Sequence, residues 1–125
     1  MKWEEFSRLR GSQKKEFFNR DGQIYHVIMA QQFDRPFLDE ICNLATRIRQ
    51  ISKSNEGARF LLSLLQGRRA VLYFVQPSTR TFLSFMSACQ ILGMQCSEVR
   101  DTSTSSEVKG ESPEDTVRTF SSYVD

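Results

Sequence analysis

Ser78, Thr79, Arg80 and Thr81 stand side by side in a chain of 125 residues. Together they offer three hydroxyl donors and one planar guanidinium fork, a set that can grip several oxygens of one phosphate. Their place in the sequence strengthens that chemistry. The apolar run Ala70-Val71-Leu72-Tyr73-Phe74-Val75 precedes them, Gln76-Pro77 forms a turn, and a helical pattern follows. The first N–H groups of a helix lack intrahelical partners, and its dipole adds positive potential there, so a strand-to-helix junction is a natural anion site. The segment lacks the glycines and the Gly-Lys-Ser/Thr ending of a Walker loop, and it is not a dinucleotide fingerprint. By residue type alone a plainer reading stays open: an N-cap serine with solvated neighbours.

The elements that must position these residues can be read outward from them. Residues 70–75 predict a strand buried on both faces. Residues 79–92 predict a helix with Ser78 as N-cap, with Phe82, Phe85, Met86 and Cys89 on its buried face and Gly93 as its end. Residues 94–100 predict a second, more polar strand, and 101–111 a polar loop. Ser112 caps a last helix with Pro113 at its first position, Asp115 three residues after the cap, and an apolar stripe of Val117, Phe120 and Val124. Strand, helix, strand, helix implies parallel strands joined by crossovers, hence an α/β fold with a three-layer arrangement: a parallel sheet with helices on both faces. In such folds ligands bind beyond the carboxyl ends of the strands, where residues 76–81 and 101–111 both fall.

Upstream, Asp34 is an N-cap with Pro36 behind it, and Phe37, Ile41, Leu44, Ile48 and Ile51 recur at steps of four and three, predicting an amphipathic helix over 36–52. Residues 52–57 read as a loop, and Phe60, Leu61, Leu64 and Leu65 as a shorter helix closed by Gly67. Residues 1–33 form an N-terminal extension in which Trp3, Phe6 and Leu9 are spaced like a helix face, with breaks at Gly11 and Gly22.

A net charge of +2 is no sign of nucleic-acid binding. The longest apolar run, 70–75, falls far short of the roughly 20 residues that cross a bilayer, and the N-terminus has no signal-peptide core. Cys42, Cys89 and Cys96 form no metal or redox spacing and read as reduced, partly buried thiols of a cytoplasmic protein. His26 reads as structural, Glu4-Glu5 and Lys14-Lys15 as solvated charge, and Arg68-Arg69 as lying at the sheet edge opposite the site.

The stretch Phe74 to Phe85 resembles the carbamoyl-phosphate signature of the aspartate and ornithine carbamoyltransferases, Ser-Thr-Arg-Thr-Arg, one residue, then Ser-Phe-Glu. A second stretch is similar to the mobile serine/lysine loop and following helix of the aspartate enzymes: residues 105–112 (Ser-Ser-Glu-Val-Lys-Gly-Glu-Ser), with Asp115-Thr116 and Tyr123-Val124-Asp125. The resemblance covers residues 34–125 and includes the long helix, the short helix and the first strand. It implies a carbamoyl-phosphate domain in which Ser78, Thr79, Arg80 and Thr81 hold the phosphate and Arg80 and Thr81 lie near the carbamoyl oxygen. It implies transfer of the carbamoyl group to the α-amine of L-aspartate, a step of pyrimidine biosynthesis, with no metal, no cofactor and no covalent enzyme intermediate. Ser105 and Lys109 would enter the neighbouring subunit's site, so the expected assembly is a homotrimer with shared active sites, open to further partner subunits. Arg80, Thr81 and Lys109 carry the expected catalytic roles.

Two departures qualify the resemblance. Phe82 stands where the family has its second motif arginine, and Met86 where it has glutamate. Positions i and i+4 of a helix touch, so a charged pair has been exchanged for an apolar one. The amino-acid-binding domain of the family is absent from these residues, so the fragment alone is expected to be inactive. Ornithine as acceptor, or an inactive carbamoyltransferase-like scaffold, remain the alternative readings.

Overall fold

A computed structural model describes residues 2–99 and 110–125. The chain divides into two compact units, Met1–Arg47 and Ile48–Asp125.

The first unit is built from short pieces. Helix α1 (Trp3–Ser7) and helix α2 (Gly11–Glu16) are followed by a two-residue hairpin, β1 (Asn19–Arg20) against β2 (Gln23–Ile24). The expected break at Gly11 is instead the first residue of α2. The hairpin turn has positive φ at Asp21 and Gly22, the signature of an Asp-Gly turn that matches the strand twist. Phe6 meets Phe17 and Phe18 edge-on at 5.8 Å. A single 3-10 turn, Ala30–Gln32, follows. Gln32 is buried, and its amide serves three backbone groups: it accepts from Ile28 and Met29 and donates to the His26 carbonyl.

Helix α3 (Arg35–Ile51) starts where the sequence predicts, with the Asp34 carboxylate accepting the Phe37 N–H at 3.0 Å. Its apolar stripe is only partly covered: Phe37, Ile48 and Ile51 are half-buried, whereas Ile41 and Leu44 are exposed. Helix α4 (Asn55–Leu64) begins earlier than expected, inside the segment read as a loop. The Ser54 hydroxyl accepts the Gly57 N–H at 3.0 Å and so caps it.

The second unit holds the parallel pair. Strand β3 (Arg69–Tyr73) leads to helix α5 (Thr79–Ile91), and strand β4 (Gln95–Val99) returns beside β3, with Arg69 opposite Gln95 and Tyr73 opposite Val99. Helix α6 (Pro113–Ser121) follows. Neighbouring strand residues point to opposite faces of a sheet. Tyr73 meets Phe120 of α6 at 5.3 Å between ring centroids. Phe74, still bonded through its N–H to the Val99 carbonyl, meets Phe82 of α5 at 5.6 Å. Helices therefore lie on both faces, the layered α/β arrangement the element order predicts. The core of this unit is Leu61 from α4, Leu72 from β3, and Phe82 and Cys89 from α5.

Three expectations need correction. Residues 70–75 are not wholly buried: only Leu72 is, and Val75 is exposed, because the described sheet is two strands wide and Val75 lies past the ladder. Phe85 is exposed, not on the buried face of α5, since Phe82 and Cys89 set that face. Cys42 is exposed on α3, whereas Cys89 is buried and Cys96 half-buried. Burial, with Cys89 and Glu98 alongside, pushes the Cys96 thiol above its ordinary pKa and away from the reactive thiolate form.

Gly93 ends α5 with φ +79°. A Cβ there would collide with the Leu62 carbonyl oxygen, so the close approach of α4 to the turn before β4 requires glycine.

Candidate functional site

Strand β3 ends at Tyr73 and α5 begins at Thr79, so the five residues 74–78 carry the chain from the end of the sheet into the helix. Ser78 is the N-cap by position, with extended φ of −149°. Its carbonyl accepts the Phe82 N–H at 3.0 Å, the first bond of the helix. The N–H groups of Thr79, Arg80 and Thr81 precede that bond, which leaves them without helical partners. The Ser78 hydroxyl makes no cap bond, unlike Ser54 and Ser112, whose hydroxyls do cap their helices. At this one helix start the serine oxygen is left for another partner.

A cleft of about 240 Å³ opens at this junction, lined by Phe74, Gln76, Pro77, Ser78, Thr79 and Phe82. Pockets for drug-sized ligands span roughly 300–1,000 Å³, so this cleft has room only for something smaller. Ser78 and Thr79 both line it. Arg80 and Thr81 share the first turn of α5 but do not line this cleft; each helical step rotates the side chain by about 100°. Both are exposed. The Arg80 guanidinium has no ion-pair partner among the described residues, and Ser84 donates its hydroxyl to the Arg80 carbonyl at 2.8 Å. Ser105 and Lys109 lie outside the described residues. Just after them the start of α6 is fixed: the Ser112 hydroxyl accepts the Asp115 N–H at 3.2 Å, and buried Thr116 donates to Glu111 or Ser112.

Phe82 is 4% exposed and packs on Phe74, so the residue that replaces the family's arginine is a wall of the cleft and part of the core. Gln76 escaped the sequence reading as a site residue. Its signal was its position, between the end of the strand and the hydroxyl cluster.

Arg68 and Arg69 lie at the other end of β3, as expected. The Arg69 N–H donates to the Asp125 carboxylate at 2.9 Å, and both guanidiniums pair with it. These bonds, led by that of the Arg69 backbone, hold the Asp125 carboxyl below its ordinary pKa. Among the described residues no group of three His, Cys, Asp or Glu is gathered to hold a metal, and no helix is long and apolar enough to cross a membrane.

A parallel β-α-β unit with a cleft at the helix start defines the chain as an α/β domain. The particular family follows from comparison. Residues 25–125 match the model of the aspartate/ornithine carbamoyltransferase carbamoyl-P binding domain, and the chain belongs to that family. It is 38% identical over 100 residues to the aspartate carbamoyltransferase catalytic subunit of Methanosarcina acetivorans, covering 80% of this chain and 31% of the relative. To the chloroplastic aspartate carbamoyltransferase 3 of Pisum sativum it is 38% identical, covering 82% and 26%. It superposes on the aspartate transcarbamoylase of Trypanosoma cruzi, solved with carbamoyl aspartate and phosphate, with TM-score 0.68 and 36% identity over 79% of this chain and 30% of that one. The catalytic subunit of the M. jannaschii enzyme gives TM-score 0.69 and 34% identity, covering 80% and 31%. The chain thus spans less than a third of the length of these relatives.

Proposed function

We propose that this chain is the carbamoyl-phosphate-binding part of an aspartate carbamoyltransferase, which transfers the carbamoyl group to the α-amine of L-aspartate and releases phosphate. The observation that carries the reading is the junction at 78–81: family membership names a carbamoyl-P domain, and the unbonded Ser78 hydroxyl and Thr79 line a cleft at a helix start. The amine attacks the carbonyl carbon, and phosphate leaves from the tetrahedral intermediate. The enzyme holds the reactants together and stabilises developing oxyanion charge. Ser78, Thr79, Arg80 and Thr81 hold the phosphate; Arg80 and Thr81 also approach the carbamoyl oxygen. Ser105 and Lys109 reach into a neighbouring subunit's site in a cytoplasmic homotrimer. The family match begins at residue 25, so this part of the domain takes in residues 25–125, and the acceptor amine is held by portions of the protein other than these.

The test is an assay of the complete protein for carbamoyl aspartate from carbamoyl phosphate and aspartate, with ornithine as competing acceptor. Product from aspartate supports the reading. Product from ornithine alone moves the protein to the sister activity. No product with either sinks it.

A second reading is favoured by Phe82 and Met86, which replace a charged pair of the family: a carbamoyltransferase-like scaffold without activity. Titration of the complete protein with a bisubstrate phosphonate separates the two. Tight binding that Arg80→Ala removes argues for the enzyme; absence of binding argues for the scaffold.

A further inference from the structure

We propose that the aromatic groove of the first unit is a contact surface for a second copy of this chain, and that two copies pair there about a two-fold axis. The family match begins at residue 25, so most of this groove belongs to sequence outside the carbamoyl-P domain. Trp3, Phe6, Phe17, Phe18 and Ile28 line it together with Lys2, around about 540 Å³. It is held in shape from two sides. The Lys14 ammonium lies 5.5 Å from the Phe6 ring centroid and donates to the Ser7 carbonyl at 2.9 Å, which ties α2 to α1. Buried Gln32 accepts the Ile28 N–H, which fixes the wall that Ile28 supplies. A surface fixed before contact loses little freedom on binding.

Trp3 lines the groove and yet is 72% exposed, and Phe17 is 52% exposed. A two-fold contact needs one patch that complements itself, knob and hole together, and Trp3 beside its own groove is such a patch. The charges point the same way. Glu4 and Glu5 stand in the first turn of α1, next to Trp3, and Lys14 and Lys15 in the last turn of α2, next to Phe17. Neither Glu4 nor Lys15 has an ion-pair partner among the described residues. A two-fold copy sets the carboxylates of each chain against the ammoniums of the other. An acidic peptide or an anionic lipid surface would meet Glu4 and Glu5 with like charge, and a bilayer presents nothing to fill a groove. Trp3 and Phe17 expose roughly 250 Å² of ring surface between them, at roughly 150–250 Å² per aromatic side chain. Counted on both copies with the groove walls, the contact falls in the small class, below about 1,200 Å², so the pairing is weak and grows with concentration.

Sedimentation equilibrium of the complete protein over a concentration series tests the pairing. Whatever the core assembly is, contact through the groove at least doubles its mass as concentration rises. Trp3→Ser removes the knob at an exposed position, so it leaves the unfolding midpoint in place and holds the protein at the unpaired mass. Glu4→Lys weakens pairing by roughly two- to fivefold for each exposed ion pair lost, and Lys15→Glu does the same. The two together restore it, and this charge set decides the matter without touching the aromatic cluster. Equal masses for wild type and Trp3→Ser at every concentration overturn the proposal, as does a double variant that pairs no better than the singles. Wild type that floats with vesicles of phosphatidylcholine and phosphatidylserine, without any gain in mass, overturns it in favour of a lipid partner.

Discussion

Phe74 and Phe82 meet edge to face, 5.6 Å between centroids and 75° between planes, and this contact ties the end of β3 to the start of α5. One ring belongs to the residue just past the strand, the other to the first turn of the helix. Between them runs the turn that carries Gln76, Pro77 and Ser78. Any change in the pair is therefore felt both in the core and in the cleft.

The Phe82 and Met86 positions should behave as a coupled unit. Phe82→Ala removes a buried ring and is expected to destabilise by about 3–5 kcal/mol. Phe82→Arg alone buries an unpaired charge, at a cost of about 3–5 kcal/mol. Phe82→Arg with Met86→Glu supplies a partner one turn away, so the double variant should lose less than the sum of the singles by about 0.5–3 kcal/mol. Urea unfolding of the four proteins measures the cycle; strict additivity would show that the two positions do not act together.

Two serines at helix starts should part company. The Ser112 hydroxyl caps α6 and that of Ser78 caps nothing. Ser112→Ala is expected to cost about 1 kcal/mol of stability with phosphate affinity unchanged. Ser78→Ala is expected to leave the unfolding midpoint alone and weaken phosphate. Equal loss of stability from both would mean that Ser78 supports the helix in solution.

Arg80 is exposed, so its removal should leave stability within about 0.5 kcal/mol, while phosphate affinity falls by about 1.5–3 kcal/mol for loss of a charge-assisted contact. In the complete protein, mixing Arg80→Ala subunits with Lys109→Ala subunits should recover part of the proposed activity if sites are shared. Mixed assemblies that stay inactive would place Lys109 in its own subunit's site or in none.

Asp125 gives a pH dependence of definite sign. Its folded pKa lies below the ordinary value of 3.8, so the folded state favours the carboxylate. The stabilisation is present above that ordinary value and fades as pH falls through the lowered one. Thermal unfolding of wild type and Asp125→Asn should differ at neutral pH and converge at the acid end. Parallel curves down to pH 2 would mean that the carboxylate adds nothing through its charge.

The local signals in the sequence were those with stereochemical force. Asp34, Ser112 and Pro113 mark helix starts because a capping oxygen or a proline has few other uses there, and α3 and α6 begin where they predict. The apolar run at 70–75 located β3 but not its coverage, because exposure depends on which strands and helices lie alongside, and composition does not encode that. Gly57 hid the first turn of α4: glycine weakens a helix, and only the Ser54 cap outweighs it. The hairpin at Asn19–Ile24 was obscured by strands too short to show alternation. The cluster at 78–81 stood out in the sequence because hydroxyls and an arginine at a helix start have a chemical meaning of their own. Gln76 had none until the cleft gave it neighbours.

The bond between Arg69 and Asp125 joins residues 56 apart in sequence, whereas the β3–β4 ladder that starts at the same arginine joins Arg69 to Gln95. Closing the longer loop adds only about 0.6 kcal/mol of entropy cost per doubling of length, yet it rewards the chain only after α6 has formed and come to rest on Tyr73. If the clasp closes after the parallel pair has assembled, Asp125→Asn should speed unfolding more than it slows folding, which stopped-flow kinetics of the two proteins would measure.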